Sequence, residues 1–314
     1  MLETEPFLSV VMPSYNAESF IEETLHSVKC QTFQDFEVII VDDASTDLTA
    51  ELVTPFLSDS RFRLIRRPAN GGVAAALNTG IGTASGEWLA FLGADDLWMP
   101  EKLEKQVALA REHSDAALIF SNGFEFNEFG DLRPFYSERR KFPEGYTLAR
   151  LLDRNCYWAS SVMVKRQDVL SVGLFDENVS IGEDYFVWAK ILARGGKAEG
   201  IWEPIVRYRK HGNSLTTDKL SAYRDLEYVH KKLLGLDLNS SCRARLVESL
   251  ARDRRDQSFV QARSCLDSAV IDAARLIVRG WLSFPRKPRP LLWAALLLVP
   301  YGKRIVQQEL ARHW

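Results

Sequence analysis

Residues 86–100 read Gly86-Glu-Trp-Leu-Ala-Phe-Leu-Gly-Ala-Asp-Asp-Leu-Trp-Met-Pro100. The apolar run Trp88 to Leu92 reads as a buried strand, and it leads straight into two adjacent carboxylates, Asp95 and Asp96. Carboxylates are hard oxygen ligands that suit Mg²⁺ or Mn²⁺. In open α/β sheets, ligands bind just outside the carboxyl ends of the strands. The stretch therefore reads as a strand that delivers a metal-binding acid to a sheet edge. The plainer reading is an acidic turn, since Asp is favoured in turns. The surrounding sequence decides between them.

Upstream, Leu8 to Met12 is a first strand, ended by the turn Pro13-Ser-Tyr-Asn16. Asn16 is a suitable N-cap for a helix from Ala17 to Lys29, with Phe20, Ile21, Leu25 and Val28 on one face. Phe36 to Val41 is nearly continuous in apolar residues, as buried parallel strands are, and also ends in paired acids, Asp42 and Asp43. Ser45 or Thr46 can cap a helix that runs to Phe56. A strand at Phe62 to Arg66 and the turn Asn70-Gly-Gly72 lead into an Ala-rich helix, Val73 to Ile81. Downstream, a helix starts at Pro100 and a strand spans Ala117 to Ser121. The β-α-β-α alternation predicts an α/β fold with a parallel sheet covered on both faces. Both acid pairs then lie on one edge of it. Residues 124–146 mix aromatics with Arg139, Arg140 and Lys141 and read as a loop over the site. Ser160 to Val164 is a further strand. A helix opens at Gly182-Glu-Asp184 and stops at Gly195-Gly196, and Ile201 to Tyr208 is the last strand before Arg209-Lys-His211.

The chain has 314 residues, 46% of them hydrophobic, enough for one large domain and an appendage. The boundary falls at 214/215, after which the pattern is helical to the end. Net charge is −2 and uneven: residues 243–314 hold 14 Lys and Arg against 6 Asp and Glu, a balance of +8 that leaves −10 for the first 242. Cys30, Cys156, Cys242 and Cys265 form no CxxC pair, so neither a disulfide framework nor a zinc site is indicated, and a reducing, cytoplasmic setting is expected. The acidic N-terminus lacks a signal-peptide core.

Tyr15 can stack on a nucleobase, one carboxylate can hold a cation, and another can deprotonate a hydroxyl. Cationic side chains such as Arg209 can meet phosphate oxygens. Taken singly, each has a structural reading: a core aromatic, turn acids, or acids favoured at a helix N-terminus. Together, Val10-Val-Met-Pro-Ser-Tyr-Asn16, Val38-Ile-Ile-Val-Asp-Asp-Ala-Ser-Thr-Asp47, Asn70-Gly-Gly72, Gly86 to Asp96, Gly182-Glu-Asp184 and Tyr208-Arg-Lys-His211 resemble a family 2 glycosyltransferase of the GT-A fold. The resemblance spans residues 7–215.

It implies a Rossmann-like, mostly parallel central sheet with helices on both faces and a C-terminal helical extension. It implies inverting transfer from a nucleotide-sugar, most readily a UDP-sugar, to a glycan or lipid-linked hydroxyl. By the same resemblance, Pro13 and Tyr15 border the base, Asn16 and Asn70 lie in the donor site, Asp43 bonds the base and Asp42 shapes its pocket. Asp95 binds Mn²⁺ or Mg²⁺, and His211 lies by the metal or diphosphate with Arg209 near it. Asp184 is the general base, with Glu183 the less favoured candidate. Gly93 departs from the pattern, because the family usually carries an acid there. This motivates an alternative, a non-catalytic nucleotide-sugar-binding or scaffold protein. A nucleotidyltransferase ranks below both, since no Gly-rich phosphate loop follows the first strand.

Between Asp272 and Glu309 no acid occurs, while Arg275, Arg279, Arg286, Lys287, Arg289, Lys303 and Arg304 do, with Trp281, Phe284, Trp293 and the run Leu291 to Val299. Nine helical residues span about 14 Å, roughly half of a hydrocarbon core. Residues 275–304 are therefore expected to lie at the inner membrane surface rather than to cross it, the alternative being a helix docked on the main domain with a solvated basic face. Nothing points to nucleic acid.

Overall fold

The computed structural model describes residues 5–136, 147–153, 157–212, 218–266, 269–283, 289–297 and 302–313. It divides into two compact units, Met1–Ser214 and Leu215–Trp314. The first is built on one sheet. Its parallel half comprises β1 (Leu8–Ser14), β2 (Phe36–Asp42), β3 (Phe62–Arg66) and β4 (Trp88–Phe91). β1, β2 and β4 are apolar and buried on both faces, whereas β3, at the sheet edge, is buried only at Phe62. Ile21, Leu25 and Val28 of α1 (Ile21–Lys29), with Leu103 and Val107 of α4 (Lys102–Glu112), share a core with Leu8, Val10 and Met12. On the opposite face lies α3 (Val73–Thr83), where a Cβ at Gly80 would stand 2.5 Å from Val11 Cγ1, so glycine lets the helix approach.

Beyond β4 the sheet is mixed. Among the described residues its order is β3-β2-β1-β4-β8-β6-β9-β5, with β7 pairing β6. β8 (Met163–Lys165) is antiparallel to both β4 and β6 (Ala116–Asn127). β9 (Lys197–Arg209) runs parallel to β6, and the two-residue β5 (Leu97–Trp98) pairs antiparallel with β9. Among the described residues the unit also holds α2 (Thr49–Val53), α5 (Leu148–Asp153), α6 (Arg166–Ser171) and α7 (Glu183–Ala193).

Several local expectations change. Asn16 is not an N-cap: α1 starts four residues later, after Phe20, and Asn16 sits in the left-handed region at φ 47°. Its side-chain oxygen accepts from Thr46 N (2.9 Å) instead. Ser45 and Thr46 therefore cap no helix, and α2 is short, followed by a 3₁₀ turn over Thr54–Ser58. The expected loop at 124–146 starts as strand, because β6 continues to Asn127 and turns back as β7 (Gly130–Pro134). Arg139, Arg140 and Lys141 lie outside the described residues. Ala159–Ser161 is a 3₁₀ turn rather than strand.

The second unit is helical: α8 (Lys219–Leu234), α9 (Ser240–Cys265), α10 (Val270–Ser283), α11 (Arg289–Leu296) and α12 (Gly302–His313). Asp218 caps α8 and Asn239 caps α9 through their side-chain oxygens. Phe259, Ile277, Trp293, Val306 and Leu310 share one core. Among the described residues no helix is long and apolar enough to cross a membrane. Arg286, Lys287, Phe284 and the end of the run at Val299 lie outside them.

Candidate active site

The carboxyl ends of β1, β2, β3 and β4 form one edge, and most of the residues singled out from the sequence stand there. Pro13, Ser14, Tyr15 and Asn16 leave β1; Asp42 and Asp43 leave β2. The two loops are laced together by Asp43 N to Ser14 O (2.8 Å), Asn16 N to Ser45 Oγ (2.9 Å) and Ala17 N to Thr49 Oγ1 (2.7 Å). That lacing leaves Tyr15 half exposed, at 50%. A ring that keeps a wet face at a strand end is available for stacking.

The paired acids serve their own backbone first. Asp42 is fully buried, accepting from Ser45 N (3.0 Å) and from Arg66 Nε (3.1 Å). Asp43 is also buried and accepts from Gly71 N, Gly72 N and Arg67 Nη1. Its carboxylate thus fixes the turn that carries exposed Asn70 into α3.

The turn after β4 closes with Asp96 N donating to Gly93 O (3.1 Å) and Thr24 Oγ1 donating to Ala94 O (3.0 Å). It sends the two acids in opposite directions. Asp96 is 2% exposed and accepts from Ser160 Oγ (2.5 Å) and Arg209 N (2.9 Å). Burial, and then the Asp95 charge, push its carboxyl well above the usual range. It cannot replace the acid absent at Gly93, because it points into the protein. Asp95 points outward, its Oδ2 lying 2.8 Å from His211 Nε2. A Cβ at Gly93 would stand 2.8 Å from Asp95 Oδ1, so glycine here leaves space for that carboxylate.

Arg209 does more holding than offering. Its Nε donates to Asp95 O (2.7 Å), its Nη2 pairs with Glu23 (2.5 Å), and its guanidinium lies over Phe126 (4.4 Å) and Phe20 (4.9 Å). Its side chain is only 12% exposed. Phe20 also packs on the His211 ring, with centroids 4.7 Å apart. Phe20, Arg209, His211 and Asn127 border a cavity of about 540 Å³. Phe20, Glu23, Phe126 and Ser160 are the residues that sequence reasoning missed. Their roles depend on contacts between segments far apart in the chain, such as Arg209 with Glu23 at a separation of 186, and no local motif marks them.

Asp184 and Glu183 open α7 after Gly182, which is left-handed at φ 88°. Asp184 is buried at 9% and accepts from Tyr185 N (2.6 Å). One turn on, the Trp188 ring packs on Phe91, the last residue of β4, with centroids 5.7 Å apart. Asp184 is thereby held about 6 Å along the helix from a residue fixed to the strand that carries Asp95.

Among the described residues no three His, Cys, Asp or Glu side chains gather around one point. Asp95 and His211 supply two. Mg²⁺ in phosphate-transfer sites keeps several waters and takes one or two protein carboxylates beside substrate phosphates. A carboxylate beside an imidazole that itself borders the cavity fits such an ion.

The family model described as glycosyl transferase family 2 matches residues 9–170. The Bacillus subtilis glycosyltransferase TuaG, named for teichuronic acid biosynthesis, is 32% identical over 241 residues, covering 73% of this chain and 92% of its own. The Escherichia coli UDP-Glc:alpha-D-GlcNAc-diphosphoundecaprenol beta-1,3-glucosyltransferase WfgD is 34% identical over 185 residues, 59% of this chain and 69% of that one. Among solved structures, S. aureus TarS 1-349 in complex with UDP-GlcNAc superposes with TM-score 0.65 at 19% identity, covering 97% of this chain and 89% of that one. Mannosyltransferase PcManGT from Pyrobaculum calidifontis, in complex with GDP-Man and Mn2+, gives 0.62 at 19%, covering 98% and 85%. The chain belongs to glycosyl transferase family 2 and is a glycosyltransferase of the GT-A fold.

Proposed function

We propose that this enzyme moves a sugar, with inversion, from a UDP-sugar to a hydroxyl of a glycan or lipid-linked acceptor in cell-surface polysaccharide synthesis. The observation that carries the reading is the outward Asp95–His211 pair at the end of β4, beside a cavity. The names of TuaG and WfgD support the pathway class, and the WfgD donor and the TarS complex support UDP.

In this reading Tyr15 stacks on the base, with Pro13 and Asn16 framing it. Asp42 and Asp43 hold the loops around it, and Asn70 lies at its margin. Asp95 and His211 would hold Mn²⁺ or Mg²⁺, which supplies charge neutralisation for the departing diphosphate. Arg209 acts through the turn it holds rather than on the phosphates. Asp184 accepts the acceptor hydroxyl proton as that oxygen bonds to the anomeric carbon. The carbon–oxygen bond to the diphosphate breaks in the same step, and the nucleoside diphosphate leaves. Glu183, at the more exposed first helical position, is the secondary candidate. An acceptor carried on lipid also gives a purpose to the basic, apolar residues 275–304, which we read as meeting the cytoplasmic face of the membrane.

Gly93 motivates the scaffold alternative, but the Asp95–His211 pair forms without an acid at 93, which favours catalysis. Thermal unfolding with UDP, with and without Mn²⁺, tests the reading. A ligand at about 100 times its Kd adds about 2.7 kcal/mol. Stabilisation that requires Mn²⁺ and is lost in Asp95→Asn is expected. Asp184→Asn should retain it while losing sugar transfer; full turnover in that variant would reject Asp184 as the base.

A further inference from the structure

Helix α10 carries two apolar stripes. Ala273, Ile277 and Gly280 are buried in the core of the second unit. Ile271, Ala274, Val278 and Leu282 recur at helical spacing on another face, turned by about 140° from the first at 100° per residue. Ile271 and Leu282 are 62% and 65% exposed. Against this second stripe stands α11, whose Leu291 is 37% exposed. Between the two helices runs a groove of about 820 Å³. This volume is within the range of small-molecule sites, roughly 300–1,000 Å³. A single exposed Leu needs no explanation, whereas a contiguous apolar groove marks an interaction surface.

The border of the groove is cationic. Arg275 and Arg279 line it from α10. Arg275 has a solvent-exposed ion pair with Asp272 (3.0 Å, side chains 76% and 60% exposed). Such a pair contributes little and is readily exchanged for another anion. Arg279 makes no ion pair among the described residues. Apart from Asp272, no acid occurs in the sequence from residue 268 to 308. A second copy of the chain is a poor occupant. A two-fold interface centred on the groove brings the basic borders of both copies into one patch with no acid lining the groove to answer them. An occupant with an apolar body and an anionic head satisfies both parts of the groove.

We infer that the α10–α11 groove is a binding site for a membrane lipid with an anionic headgroup. One acyl chain lies along Ile271, Val278, Leu282 and Leu291, and the phosphate meets Arg275 and Arg279. The site narrows the membrane contact of residues 275–304 to one groove, so it rests on that part of the proposed function and not on the donor chemistry.

Flotation of the whole chain with phosphatidylcholine vesicles, and with phosphatidylcholine vesicles containing one-quarter phosphatidylglycerol, tests it. The chain should bind the anionic vesicles and bind the neutral ones weakly. Arg275→Gln with Arg279→Gln should weaken binding to the anionic vesicles about 30-fold, since each basic residue at an anionic surface contributes about 5-fold. Leu282→Glu should weaken binding to both compositions, and because that side chain is solvent-exposed the variant should unfold at the parent temperature. UDP-dependent stabilisation should be unchanged in every variant, which separates this test from that of the donor site. Binding of the variants equal to that of the parent would overturn the groove site while leaving membrane contact elsewhere in 275–304. Equal affinity of the parent for the two compositions would overturn the anionic headgroup. A parent dimer that Leu282→Glu dissociates would assign the groove to a second copy and overturn the proposal.

Discussion

Asp95 has space because residue 93 lacks a side chain. A methyl group there would stand 2.8 Å from Asp95 Oδ1, closer than real Cβ contacts come, and a tight 3.3 Å from Asp96 Oδ2. Gly93→Ala should therefore turn the Asp95 carboxylate away from His211. In the proposed role of Asp95 as a metal ligand, disturbing its surroundings costs about 10–100-fold in metal affinity or activity. Titrating activity with Mn²⁺ should show the half-saturating concentration rising by that order while the unfolding temperature barely moves. Lys102 presents a different problem at the same scale. It is fully buried, its Nζ has no hydrogen-bond partner among the described residues, and it lies 3.5 Å from the centroid of the Trp98 ring. Burial pulls its pKa well below the ordinary value. The unfolded chain then binds a proton that the native one gives up, so stability rises with pH up to the ordinary lysine range. Lys102→Met should remove that dependence and stabilise the protein at pH 7 by about 1–3 kcal/mol, the cost of a buried unsatisfied group. Thermal unfolding from pH 6 to 10 checks both the sign and the slope.

At the level of elements, the site is a junction between β4 and β9. The first ends before the Gly93–Asp96 turn, and the second ends at Arg209, whose backbone holds Asp96 and whose side chain holds the Asp95 carbonyl. Arg209→Lys keeps a charge but loses the planar fork that reaches Asp95 O and Glu23 together and stacks on Phe126. It should lower kcat/KM about 10–100-fold, with metal affinity falling alongside; unchanged metal affinity would show that Arg209 does not position Asp95. The same junction shows what the sequence could reveal. β1, β2 and β4 were legible because strands buried on both faces are written as continuous apolar runs. The positions of Asp95, just past such a run, and of His211, just past β9, could be read from the sequence. β5 and β8, two and three residues long, carry no periodicity to read. β8 also reverses direction between β4 and β6, so strand alternation alone could not reveal the mixed half of the sheet. Asn16 looked like a helix cap because cap and loop-lacing residues are the same polar types. Only the fold shows that its partner is Thr46, 30 residues away.

On the scale of the whole molecule, the second unit carries its own response to acid. His230 and Asp253 pair across α8 and α9 at 2.6 Å, both buried. Nearby Asp256 is raised to about 6, mainly by burial and further by Asp253, although Arg255 pairs with it. A raised carboxyl holds its proton in the native state after the unfolded chain has released it. Its contribution therefore favours folding at low pH and is lost as pH climbs from about 4 to about 6. Asp256→Asn should be more stable than the parent above pH 6, by about 1–3 kcal/mol, and level with it near pH 4. Urea unfolding at the two pH values measures the difference.

The antiparallel β8 also sets a timetable. β4 gains its second neighbour only when residues 163–165 exist, 72 positions after β4 ends at Phe91. Synthesis adds about 5–20 residues each second, so the apolar edge Trp88–Phe91 waits roughly 4–14 s on the ribosome without a partner. An uncovered apolar edge is a template for pairing with another chain. Slower elongation lengthens that wait, so aggregation of nascent chains should rise as translation slows, even though the finished protein has no such edge at β4.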